Sequence, residues 1–271
     1  MKSRLIALAI ASAVCAVSSS PQVRVTLRSR VEAFKGSGAW EPVAVTQDID
    51  PSRTALVICD VWDRHWCSGA EARVAILAPR IEKLVEQARK RGILVIHAPS
   101  ETMKYYTNRP ERIKMAKIAA VNPPADLPLN DPPLPIDDSD GGCDSATNKI
   151  PKDTAIWTRE NPAISIDNRD LISDNGREIF SALHARGVET LLFAGVHANM
   201  CILNRTFGIR QMTRWGVHCI LIRDLTDTMY NPARAPHVSH VAGTELVIEH
   251  IERYWAPTVT STELTRALSG N

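Results

Sequence analysis

The sequence predicts an α/β protein: a mainly parallel sheet of about five core strands with helices on both faces, in a Rossmann-like three-layer arrangement. Three observations lead there. The runs Thr54 to Cys59, Ile93 to Ile96 and Thr190 to Ala194 are continuously apolar rather than alternating, as strands covered on both faces are. Amphipathic stretches of helical period separate them, with glycines just past their ends at Gly92, Gly187 and Gly216. The order strand, helix, strand then implies right-handed crossovers and parallel neighbours.

Length and charge set the boundaries. The chain has 271 residues and a formal net charge of +2, enough for a sizeable core. No basic run is threaded with aromatics, so nucleic acid is not an expected partner. Residues 1–20 begin with Lys2 and Arg4, continue through apolar Leu5 to Val17, and end in Ser18-Ser19-Ser20-Pro21. That is the layout of a secretory signal peptide, giving a secreted or periplasmic protein with no membrane attachment after its removal. The apolar part is shorter than the roughly 20 residues a bilayer span needs. Cys15 raises a lipoprotein alternative, but Ser12-Ala13-Val14 matches a lipobox poorly. Residues 22–271 then read as a single domain, since neither a repeat nor a linker interrupts them.

In chain order, Val23 to Leu27 and Pro42 to Thr46 suggest an N-terminal hairpin lying over the domain. Thr54 to Cys59 is the first buried strand and ends on Asp60. Leu77 to Arg91 carries Leu77, Ile81, Leu84, Val85 and Ala88 on one face, with Pro79 near its start and Gly92 after its end. Ile93 to His97 is the second strand. A long Pro/Asp-rich loop, 98–153, follows, with a short helix at Pro110 to Ala120 and an acidic tip around Asp137 to Asp140; connections of this length are usually functional lids or disordered links. The tip invites a calcium reading, but Ile136 occupies the place of the first ligand and no glutamate closes the loop. Alternation resumes with strand Thr154 to Thr158, helix Asp174 to Arg186, strand Thr190 to Ala194, helix Asn199 to Trp215, strand Val217 to Ile222 and helix Val241 to Tyr254.

In a parallel sheet the C-terminal strand ends share one rim, where ligands bind. That brings together Asp60, His97, Arg159 and the turn from Gly195 to Cys201. Cys201 would open a helix, where unpaired N–H groups and the helix dipole favour a thiolate. The alternative is a buried structural cysteine. A carboxylate, a cation and a thiol on one rim make a nucleophilic site, with the backbone N–H groups of His197 and Cys201 as an oxyanion hole. Of the other cysteines, Cys59 and Cys219 lie in strands, which leaves Cys67 and Cys143, both in loop-like sequence, as the candidate disulfide.

These residues resemble the isochorismatase-like cysteine hydrolases, which include nicotinamidases and N-carbamoyl amide hydrolases. The resemblance spans about Thr54 to His250. It rests on the strand ending in Asp60, on Gly195-Val196-His197-Ala198-Asn199-Met200-Cys201, and on Asp224 at the start of the loop after the fifth strand. It implies an Asp, Lys and Cys triad, a non-proline cis peptide at Val196-His197, and assembly into homo-oligomers. The third-strand position of the lysine holds Arg159, so the catalytic set expected is Asp60, Arg159 and Cys201. Arginine keeps its charge but does not readily share a proton. Lys104, Lys149 and Lys152 are the fallback cations. The reaction implied is cleavage of a C–N bond in a small amide or ureide, with no cofactor. The rival readings are vinyl-ether hydrolysis led by Asp60 and a non-catalytic small-ligand-binding protein.

Trp62, His65, Trp66 and His97 are expected to line the substrate pocket. Some members of the family bind a metal through an Asp-x-His pair and further histidines. Asp63-Arg64-His65 with His97 fits superficially, but the pair follows the first strand rather than the second, so no metal is assigned. His237 and His240 read equally as surface or pocket residues. Arg205 and Arg210, on the helix after Cys201, read as surface or oligomer salt bridges.

Overall fold

The structure, a computed structural model, describes residues 22–270. The signal peptide expected over residues 1–20 lies outside the described residues. The elements are β1 (Val23–Glu32), β2 (Trp40–Ile49), β3 (Thr54–Cys59), α1 (Ser68–Lys90), β4 (Leu94–Ala98), α2 (Met103–Tyr106), α3 (Pro110–Ala116), β5 (Leu171–Ile172), α4 (Gly176–Ala185), β6 (Thr190–Val196), α5 (Ile209–Arg214), β7 (His218–Asp227), α6 (His240–Tyr254), β8 (Thr258–Val259) and α7 (Ser261–Ser269).

They build one eight-stranded sheet of order β2-β1-β8-β7-β6-β3-β4-β5. The run from β8 to β5 is parallel throughout, and β1 and β2 add antiparallel strands at one edge. The sheet therefore exceeds the five expected core strands. Every residue of β3, β4 and β6 is buried, because apolar layers cover both faces. One layer draws on α1 and α7 (Val74, Ile81, Leu264) and the other on α3 to α6 (Met115, Ile179, Met212, Val247).

Several expectations need correction. The hairpin does not lie over the domain but extends the sheet, joining β8 through Arg28 and Thr258. Its alternation explains this: Val23, Val25 and Leu27 enter the core, while Arg28 and Arg30 on the other face reach Glu252 of α6. Helix α1 begins nine residues before Leu77, since Ala70 and Val74 continue the buried stripe, and Pro79 lies inside it. The helix expected over 199–215 is broken into a π-type turn, Ala198–Ile202, and α5. The break falls at Gly208, where a Cβ would come within 2.8 Å of the Ile202 and Leu203 carbonyl oxygens.

The largest correction is the expected strand at 154–158, which is a loop; the parallel place beside β4 belongs to β5. Asp63 accounts for the difference. Its carboxylate accepts from the Thr158 N–H at 2.9 Å and the Thr158 hydroxyl at 2.5 Å, so a side chain takes the place of a strand ladder.

A disulfide joins Cys67 to Cys143, with Cα atoms 5.6 Å apart across 76 residues of sequence. In the chain-entropy account, closing a loop of that length contributes roughly 4 kcal/mol. The acidic tip beside it is spent on protein contacts. Asp138 accepts from Asn199 Nδ2 at 2.7 Å and Asp140 from Asn231 Nδ2 at 2.9 Å, while Asp144 pairs with Arg73 at 2.8 Å. The long loop is thus fastened to the rim at several points.

Candidate active site

Asp60 follows β3 with φ of +49°, a left-handed conformation that aspartate tolerates better than most residues. The kink turns its carboxylate into the rim, where it is 0 % exposed. Oδ1 accepts from the Ser100 N–H at 2.6 Å, and Oδ2 takes the Arg205 Nε at 2.8 Å. The Cys201 thiol neighbours the same carboxylate, whose charge helps to raise it. Asp60 and Cys201 thus converge, as two strand ends of a parallel sheet should.

The cation is not the expected one. Arg159 sits half-exposed on the 154–162 loop, and its Nη1 donates to Tyr105 Oη at 3.0 Å. It cannot reach inward because Asp63 pins its backbone, accepting from the Arg159 N–H at 3.3 Å. None of the fallback lysines takes its place: Lys104 and Lys149 are exposed, and Lys152 bonds the Ser139 carbonyl. Arg205 fills the role instead, contrary to its reading as a surface salt bridge. Four residues after Cys201, it lies one helical turn further along the same face, and its N–H donates to the Cys201 carbonyl at 3.0 Å. Its Nη1 is tied to Glu101 at 3.1 Å, and its guanidinium lies 5.8 Å over the Trp62 ring.

The electrostatics correct a second expectation. Cys201 does not open an ordinary α-helix, and its thiol is held well above the usual range rather than below it. Burial is the largest cause and the neighbouring Asp60 charge the next; Arg205 and the His197 N–H work against them. Burial likewise raises the Asp60 carboxyl, while Arg205 opposes the rise. The site thus sets a thiol raised above its usual range beside a carboxyl that burial also raises and the Arg205 guanidinium opposes. The peptide between Val196 and His197 is cis.

The aromatic wall follows Asp60 directly. Trp62 stacks on Trp157 at 4.3 Å between ring centroids, and His65 stacks on both. His65 also meets the edge of His197 at 5.1 Å. His65 Nδ1 accepts from the Cys67 N–H, and burial lowers its pKa to about 4. His197 is lowered to about 3, by burial first and His65 next, and its Nε2 is buried with no partner among the described residues. Both rings are neutral at pH 7. Trp66 packs with Cys67, Ala70 and Met229 beneath the disulfide. Trp157 and Arg205 are the members that sequence reasoning missed.

His97 does not line the pocket. Its ring is 0 % exposed and clamped between Glu160, 2.7 Å from Nδ1, and Asp170, 3.2 Å from Nε2. Asp224 is structural as well, accepting from the Ser261 N–H at 2.6 Å at the start of α7. His240 bonds Asp227 at 2.9 Å, and His237 is exposed. Among the described residues, no group of three or more His, Cys, Asp or Glu is placed to hold a metal. The Asp-x-His pair does not fit one, because Asp63 is occupied by Thr158 and Arg159, and His97 by its two carboxylates.

No protein-family model and no curated protein matches the sequence. Solved structures do match in fold. A cysteine hydrolase from Pseudomonas syringae pv. phaseolicola is similar with a TM-score of 0.50 at 18 % identity, covering 82 % of this chain and 95 % of that one. An isochorismatase family protein from Burkholderia thailandensis has a TM-score of 0.46 at 14 % identity, covering 82 % and 97 %. An isochorismatase from Pseudomonas putida has a TM-score of 0.48 at 12 % identity, covering 79 % and 91 %. The fold is shared with the cysteine hydrolase from Pseudomonas syringae.

Proposed function

We propose that this protein is an exported cysteine hydrolase that cleaves the C–N bond of a small amide or ureide through a thioester on Cys201. The observation that carries the reading is the buried Asp60 carboxylate, which neighbours the Cys201 thiol and accepts from Arg205 Nε at 2.8 Å. A neutral thiol beside a carboxylate calls for general-base activation at the moment of attack. As the Cys201 sulfur adds to the carbonyl carbon, its proton passes to Asp60. The oxyanion is met by the N–H groups of His197 and Cys201. Asp60 then returns the proton to the leaving nitrogen as the C–N bond breaks and the thioester forms. Water, deprotonated by Asp60, attacks the thioester, releases the acid product and restores the thiol. Arg205 cannot share a proton, so Asp60 alone carries it; the guanidinium keeps that carboxylate charged in a buried place.

A screen of small amides and ureides, followed by intact mass, tests the chemistry. Turnover with a transient adduct on Cys201 is expected, and both should vanish in Cys201→Ala. Alkylation of Cys201 should titrate above the ordinary thiol pKa of about 8.5. Turnover that survives Cys201→Ala would replace this reading with vinyl-ether hydrolysis led by Asp60. Retained ligand affinity without turnover in either form would make the protein a binding protein.

Export draws support from the charged and apolar start of the chain and from the Cys67–Cys143 bridge, a kind of bond that persists in oxidising compartments. Protein recovered from its native host should begin near residues 18–22 and carry one disulfide by intact mass. A full-length, fully reduced chain would count against export.

A further inference from the structure

A cleft of about 460 Å³ is lined by Tyr105, Tyr106, Arg109, Arg159, Pro162 and Ile164 among others. That volume falls within the roughly 300 to 1,000 Å³ of small-molecule sites. Both of its walls begin at residues that touch the partners of Cys201. On one side, Glu101 holds Arg205, and the chain runs on into α2 with Tyr105 and Tyr106. On the other, Trp62 pairs with Glu160, and the Asn161 N–H bonds the Val61 carbonyl at 2.7 Å.

The charges in this cleft are unequal. Arg109 is paired with Glu111 at 3.0 Å. Glu160 is turned away, with its carboxylate on His97. Asp63 is near Arg159, but its oxygens accept from the Thr158 and Arg159 backbone and the Thr158 hydroxyl. Arg159 itself has no ion pair among the described residues; its guanidinium lies 5.7 Å over the Tyr105 ring and bonds the phenol oxygen. Stacking orders the side chain in advance while leaving most of its N–H donors unused. An ordered guanidinium of this kind matches a carboxylate with two parallel hydrogen bonds.

We propose that this cleft is the distal part of the substrate site and that Arg159 binds a carboxylate carried by the substrate. The tyrosine, proline and isoleucine walls suit a planar or apolar body between that carboxylate and the scissile bond. The assignment rests on the hydrolase reading for the word substrate, but its test does not need turnover.

Benzoate and its neutral isostere benzamide are the probes, titrated into the Cys201→Ala protein by calorimetry. Benzoate should bind roughly ten- to a hundredfold more tightly, the range that hydrogen bonds to a charged group supply. Adding Arg159→Met should remove that preference, and Arg159→Lys should keep part of it. Adding Arg24→Met, on the β1–β2 hairpin, instead should leave the ratio unchanged. The proposal is overturned if benzoate is not preferred, if the preference survives Arg159→Met, or if it disappears with Arg24→Met. Unchanged circular dichroism in each variant excludes unfolding as the cause. Failure of the hydrolase reading shows up separately, as an absence of turnover in the Cys201 protein.

Discussion

Arg205→Met is expected to lower kcat/KM by at least about a hundredfold. Each pKa unit by which the base is carried above the working pH lowers its ionised fraction about tenfold. The abandoned charge here is Asp60, which is fully buried and already raised by desolvation, with Arg205 opposing that rise. Without the guanidinium the carboxyl is pushed further up and protonates nearer to neutral pH. A base must be ionised to act, so the acidic limb of the pH–rate profile should move to higher pH in the variant, and activity should recover partly as pH rises. Arg205→Lys restores a charge without the Nε geometry and should restore part of the rate. An unshifted acidic limb in Arg205→Met would show that this arginine does not act through Asp60.

How much of this was legible in the sequence depends on whether a residue's partner is local. Asp60 and Cys201 could be read because each sits at the end of an apolar run, and a parallel sheet gathers such ends without further information. The Cys67–Cys143 pair could be named because the other cysteines had places of their own. Arg205 was passed over although its signal was present: a spacing of four residues puts it on the face of Cys201. On sequence alone that spacing looks the same as a surface salt bridge, and only the depth of Asp60 distinguishes the two. Arg159 misled for the opposite reason. Ile156-Trp157-Thr158 has strand composition, but Asp63, more than ninety residues earlier, captures its backbone and turns it into a loop. His97 ends a strand as Asp60 does, yet its ring is claimed by carboxylates 63 and 73 residues away. No periodicity or motif announces contacts at that separation.

His97 also carries the largest stability effect expected. Burial alone would lower its pKa, but Glu160 and Asp170 outweigh it and hold the imidazolium up to about 9. Arg89 shares Asp170 at 2.6 Å, while Glu160 Oε1 is buried with no partner among the described residues. The positive ring therefore offsets a carboxylate that has no other cation on it among the described residues, and it ties the 160 and 170 segments to β4. A histidine whose folded pKa is raised contributes stability that is complete below the unfolded value of about 6.5 and is lost as pH rises through about 9. His97→Gln fills similar space without the charge. At pH 6 it should cost about 3 to 5 kcal/mol, the usual penalty for breaking a buried pair. Urea denaturation of both proteins across pH 6 to 10 measures the difference. The gap should narrow steadily from about pH 6.5 to about 9, because over that range the folded ring holds a proton that the unfolded chain has lost. A gap that stays constant to pH 10 would mean that His97 is neutral in the folded protein and that its two carboxylates are held by a shared proton instead.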